Sequence, residues 1–126
     1  MKSNKKYDLE MRTFQYASNV IQFVDALKKT ISNVELSRQL IRSSGSVGAN
    51  YIEANESVSQ KDFIYRIKIC RKEAKESLYW LRLISCKENQ MTEKEKLMKE
   101  ALELTKIFGA IVYRFYANRR GELIIK

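Results

Sequence analysis

Lys68, Arg71, Lys72 and Lys75 recur at three- and four-residue spacing, which sets these cations along one side of a helix. Lys61, Arg66, Arg82 and Lys87 flank them, against only Asp62, Glu73 and Glu76, and Arg119 and Arg120 add charge near the end of the chain. Such a stripe attracts a phosphate backbone through Coulomb forces and the release of condensed counterions. Lys68, Arg71, Lys72, Lys75, Arg82, Arg119 and Arg120 are therefore the candidate nucleic-acid contacts. The competing expectation is pairing within the helix, where Glu76 and Glu73 stand within reach of Lys72 and Lys75. Few aromatic residues sit among these charges, so reading of the backbone is favoured over stacking on bases.

Other chemistries find little support. The chain has no His, which removes the usual general base, the Ser-His and Cys-His pairs and the histidine metal sites. Cys70 and Cys86 lack zinc-ligand spacing and read as buried small hydrophobes of a cytoplasmic protein. Gly45 and Gly48 form a G-x-x-G without the following lysine of a phosphate loop, so they read as a packing device. Glu53, Glu56 and Asp62 fall near one turn, where pairing with Arg42 or Arg66 is favoured over a divalent cation. The expectation is a protein that is not an enzyme, with no catalytic residues, metal or cofactor.

These side chains must be carried by helices. Across 126 residues Pro is absent and Gly occurs 4 times, and the length suits one domain. The balance of 24 basic to 15 acidic side chains gives a net charge of +9, which suggests an acidic partner, most often nucleic acid. No apolar run is long enough for a membrane span.

Three starts share one signature, Ser32-x-x-Glu35, Ser59-x-x-Asp62 and Thr92-x-x-Glu95, each ahead of an apolar rhythm as in a capping box. They divide the chain into helices of about 8–30, 33–57, 60–87 and 92–118, an antiparallel up-down-up-down four-helix bundle over residues 8–120. Residues 1–7 form a lysine-rich arm and 121–126 a short apolar tail. The expected seams are Phe14, Ala17, Ile21, Val24, Leu27 and Ile31 in the first helix, and Leu40, Ser44, Val47, Tyr51, Ala54 and Val58 in the second. Ile67, Cys70, Ala74, Ser77, Leu81 and Ile84 follow in the third, and Leu97, Ala101, Leu104, Phe108, Ile111 and Phe115 in the fourth.

Beside the second helix's seam runs a polar stripe of Gln39, Ser43, Ser46, Asn50, Glu53 and Ser57, unusual on a helix that simply faces water. Glycines in a helix interior cost about 1 kcal/mol each relative to Ala, so close neighbours should offset them. The third and fourth helices carry more apolar surface than one bundle core needs. Tyr65, Ile69, Trp80, Leu83, Val112, Tyr113 and Tyr116 are the candidate interface of a homo-oligomer.

Tyr7-Asp-Leu-Glu10, Gln39-Leu-Ile-Arg-Ser43, Ser46-Val-Gly-Ala-Asn-Tyr-Ile-Glu-Ala54, Lys72-Glu-Ala-Lys-Glu-Ser77 and Tyr79-Trp-Leu81 occur in order over residues 7–118. With Arg12-Thr13, Ser59 and Asp62-Phe63, this pattern resembles the bacterial 23S ribosomal RNA intervening-sequence proteins. It is also similar to the accessory variability proteins of diversity-generating retroelements, basic pentameric barrels that bind nucleic acid and the reverse transcriptase. The resemblance implies a four-helix subunit, a ring-shaped homo-oligomer, a pentamer at that, and no established enzymatic activity. It makes Gln39, Arg42, Ser43, Ser46, Asn50, Glu53 and Ala54 structural positions. The sequence thus points to a basic bundle that binds RNA or DNA with little sequence preference. Its rival is an adapter whose basic surface recruits an acidic protein such as a polymerase.

Overall fold

The computed structural model describes residues 5–121, with side chains from Leu9 onward. Helix α1 spans Lys5–Asp25, α2 Ile31–Asn55, α3 Gln60–Leu83 and α4 Met91–Arg119, and a 3-10 turn at Glu88–Gln90 leads into α4. The short connections make successive helices antiparallel, and the order is up-down-up-down. Helix α2 packs along α3 and α3 along α4, whereas α1 lies chiefly on α2 and meets α4 most loosely.

The seams of α2, α3 and α4 stand where their periodicity puts them. Leu40, Val47, Tyr51 and Ala54 are buried with Ile67, Cys70, Ala74, Leu81 and Ile84 and with Leu97, Ala101, Leu104 and Phe108. Helix α2 runs through Gly45 without a break, as the unbroken spacing requires. Val58 drops out of the seam, 94% exposed in the α2–α3 turn, and Ile111 and Phe115 are only half-buried.

Helix α1 differs from expectation. Its buried stripe is Thr13, Tyr16, Val20 and Phe23, one position away from the expected one, with Phe14 and Ile21 exposed, and the expected stripe holds only at its end, where Val24 packs on the core and Leu27 is buried. The reason lies in hydroxyls that find partners inside. Thr13 Oγ1 donates to Leu9 O at 2.9 Å, and Tyr16 Oη meets Ser77 Oγ at 2.6 Å. Ser77 Oγ already donates to Ala74 O at 2.8 Å, so the tyrosine hydroxyl is the donor in that bond. With their polar atoms satisfied, both residues bury their apolar bodies at little cost.

The caps also shift boundaries. Helix α1 ends at Asp25 rather than near residue 30, closing with Ala26 N to Phe23 O and Leu27 N to Val24 O. Thr30, not Ser32, caps α2 by accepting from Asn33 N at 3.1 Å, so Ile31 opens α2 instead of closing α1 and is 88% exposed. Ser59 caps α3 as expected, accepting from Asp62 N at 3.1 Å. Helix α3 stops at Leu83, four residues early, and Lys94 Nζ donates to Ile84 O at 2.7 Å. Thr92 caps nothing. Gln90 enters α4 instead, its Oε1 accepting from Lys87 N at 3.0 Å and its Nε2 donating to Ala26 O at 2.8 Å. Of the expected arm, Lys5 to Tyr7 already belong to α1, and residues 1–4 and 122–126 lie outside the described residues.

Candidate nucleic-acid interface

The basic side chains of α3 take their geometry from how that helix is held. Its α2 side is pinned by Arg66 Nη1 donating to Asn50 Oδ1 at 2.9 Å and by Glu76 Oε1 pairing with Arg42 Nη2 at 3.6 Å. Its α4 side carries Arg71, whose guanidinium lies against the bare backbone of Gly109, and Lys68, whose Nζ stands 4.9 Å from the Tyr116 ring centre. Lys75 and Arg82 follow Lys68 and Arg71 at seven and eleven residues and share their side of the helix. Arg119 joins at the start of α3, donating to Gln60 Oε1 at 3.2 Å with its guanidinium over the Phe115 ring. From Gln60 to Arg82 this strip runs about 33 Å.

Pairing within the helix does not neutralise the strip. Glu76 turns to Arg42, Glu73 is buried at 8% exposure, and neither Lys72 nor Lys75 makes an ion pair among the described residues. Burial and the neighbouring Glu76 hold the Glu73 carboxyl above the ordinary carboxylate range, with Arg42 and Lys72 offsetting this only in part. Glu73 Oε1 has no hydrogen-bond partner.

The structure separates the other candidates. Lys72 lies on the far flank of the strip, one turn from Lys68 and Lys75, and Arg120 caps α4. Lys106 and Tyr113, about one turn on either side of Gly109, extend the basic surface onto α4, and Tyr79 adds an exposed ring to α3. Periodicity within single helices could not reveal this juxtaposition across two of them. Gly109, the one glycine within α4, is the available signal.

The expected interface residues do not form one patch. Tyr65 and Leu83 are exposed and Ile69 half-buried along the α2 side of α3. Trp80, Val112 and Tyr116 pack against the subunit's own core, and Tyr113 is exposed beside α3. The polar stripe of α2 is likewise divided, with Ser43 buried, Ser46 and Asn50 half-buried, and Gln39 and Glu53 exposed. Arg42 and Arg66 pair with Glu76 and Asn50, not with Glu53, Glu56 or Asp62. No group of His, Cys, Asp or Glu suited to a metal occurs among the described residues. Cys70 is buried, its thiol pushed up to about 12 by desolvation, while Cys86 is only half-buried with Sγ 3.4 Å from Met91 Sδ.

A second surface emerges on the opposite side of the bundle. Met11, Phe14 and Ile21 lie along the outer face of α1, Phe14 69% exposed, and Ile41, Gly45, Ala49 and Ile52 run beside them on α2. From Thr13 to Val24 α1 has no charged residue. The paired glycines behave differently here. A Cβ on Gly48 would stand 2.9 Å from Thr13 Oγ1 and 3.2 Å from its Cβ, whereas a Cβ on Gly45 would meet nothing within 4 Å.

These features define a basic, antiparallel four-helix bundle with a cationic strip on one side and an exposed apolar face on the other. The chain belongs to the family of 23S rRNA-intervening sequence proteins, whose model matches residues 5–110. It is also similar to a crystal structure, at 1.70 Å resolution, of a protein of unknown function from the S23 ribosomal protein family of Bacteroides thetaiotaomicron. The two share 28% identity with a TM-score of 0.72, over 87% of this chain and 99% of that one. No curated protein matches. Among the described residues no helix is long and apolar enough to cross a membrane.

Proposed function

We propose that this protein binds nucleic-acid backbones without catalysing a reaction, gripping successive phosphates along α3. The observation that carries the reading is the strip Lys68, Arg71, Lys75 and Arg82, which Glu73 and Glu76 leave unneutralised because one is buried and the other is turned to Arg42. Few polar side chains that could read base edges accompany these cations, so the recognition is of charge and shape with little sequence preference. The family description names 23S rRNA, which makes a structured RNA the first probe and a DNA duplex of matched length the second.

Titration of labelled RNA against the protein in rising salt tests this. Direct contact with about five phosphates gives a log-log slope of about −4. No binding at low salt would assign the strip to an acidic protein partner, the adapter reading.

Self-association is the second part of the reading, and the exposed α1–α2 face supports it. For a chain of net charge +9, the stretch of α1 from Thr13 to Val24, which has no charge, is where copies approach with least repulsion. Gly45 leaves its backbone open to such a neighbour. A ring of subunits would repeat the cationic strip and multiply a weak contact. Light scattering measures the assembly, and a wild-type monomer would remove this part while leaving phosphate binding to stand.

A further inference from the structure

At the end of the bundle that holds the α2–α3 turn, the described residues leave an open groove. Helix α4's seam is fully buried through Phe108, yet Ile111 and Phe115 emerge into a groove between α1 and α4 instead of packing under α1. The groove encloses about 630 Å³, within the range of small-molecule sites, and bundles commonly build such sites between facing helices. Leu9, Tyr51, Phe63, Ile107, Ile111 and Phe115 supply apolar walls.

Its polar groups are few and of one sign. Arg12 and Arg114 stand at the margin, and no carboxylate lines the groove among the described residues. Arg12 is already committed, with Nε 2.6 Å from Glu100 Oε2 and Nη2 2.9 Å from Oε1. Arg114 makes no hydrogen bond or ion pair among the described residues.

We infer that this groove binds an amphipathic monocarboxylate, its apolar body against Phe63, Ile111 and Phe115 and its carboxylate on Arg114. A guanidinium receives a carboxylate through two parallel N–H bonds, and the desolvated walls give the chain a place out of water. The site is separate from the α3 strip and does not depend on it.

Calorimetric titration of the full-length protein with dodecanoate, dodecan-1-ol and dodecyltrimethylammonium provides the test. One dodecanoate per chain at a Kd of about 10 µM is the expected result, with the cationic amphiphile bound at least tenfold more weakly. Arg114→Gln, a surface change that leaves the fold intact, should weaken dodecanoate about tenfold and leave dodecanol unchanged. Ala110→Trp should fill the groove and abolish both. Equal binding of the three probes, indifference to Arg114→Gln, or no heat up to about 1 mM would overturn the inference. So would a change in molar mass on Ala110→Trp, which would give the groove to a second copy of the chain.

Discussion

The two outer faces of this bundle are built from similar helices and do opposite things with charge. On the α3–α4 side, Lys68, Arg71, Lys75 and Arg82 stand in water while two of the three acidic residues of the same helix are withdrawn, Glu73 into the interior and Glu76 to Arg42, and Asp62 stays exposed in the first turn. On the α1–α2 side, α1 carries no charge from Thr13 to Val24, and Phe14, Ile21, Ile41 and Ile52 stand exposed where a solvated helix commonly places Lys and Glu, with Arg38 of α2 on the same face. The contrast teaches that net charge says less than placement. A chain of +9 acquires an oriented cationic surface because Glu73 and Glu76 are drawn away from it and because its apolar surplus sits elsewhere.

Reversal of Lys68, Arg71 and Lys75 to Glu together breaks the comparison most sharply. RNA affinity at low salt should fall by at least about a hundredfold, with the salt slope shrinking by about 3, while the melting temperature holds. Equal loss from reversing Lys28, Lys29 and Arg38, well away from the strip, would show that only bulk charge matters.

The glycines give the next effect, of opposite signs within one turn of α2. Gly48→Ala drives a methyl into Thr13 and should destabilise by about 1–3 kcal/mol in a denaturant titration. Gly45→Ala meets open space and should stabilise the subunit by up to about 1 kcal/mol, through helix propensity alone. A bulkier Gly45→Leu sharpens the point, since it should lower the molar mass by light scattering if that face is shared between copies.

Glu73→Gln should have the smallest effect. The folded state holds this carboxyl's proton more tightly than the unfolded chain does. The stability it lends is therefore complete below the ordinary carboxylate pKa and is lost as pH rises through the raised value. The variant should melt slightly higher than wild type at neutral pH and show a flatter decline across that window, read by thermal denaturation at several pH values.

How legible these faces are in the sequence depends on the helix. In α3 and α4 the seams keep an unbroken three-four rhythm even though a second set of apolar residues runs beside each, so Ile67 through Ile84 and Leu97 through Phe108 fall in place. In α1 two stripes compete, and the more hydrophobic one, Phe14 and Ile21, is the exposed one. Tertiary partners decide the matter, since Tyr16 reaches Ser77 from a segment far along the chain. The cations of α3 are readable from spacing. That Glu73 and Glu76 turn away from them depends on Arg42 and on packing against α2, which no local pattern contains. The open groove is equally invisible, because Ile111 and Phe115 continue the seam faultlessly and only the loose meeting of α1 with α4 leaves them uncovered.

Asn33 carries a consequence of its own. Buried at 4% exposure, it donates to Lys28 O at 3.1 Å and to Ser85 O at 3.0 Å and accepts from Ser85 N at 3.2 Å, so it sutures the α1–α2 and α3–α4 connections to each other. Gln90 adds a stitch from α4 to Ala26. The molecule is thus a pair of tongs riveted at one end, and thermal breathing must begin at the other. Amide deuteration should spread inward from Leu9 and Phe115 and reach the riveted turns last.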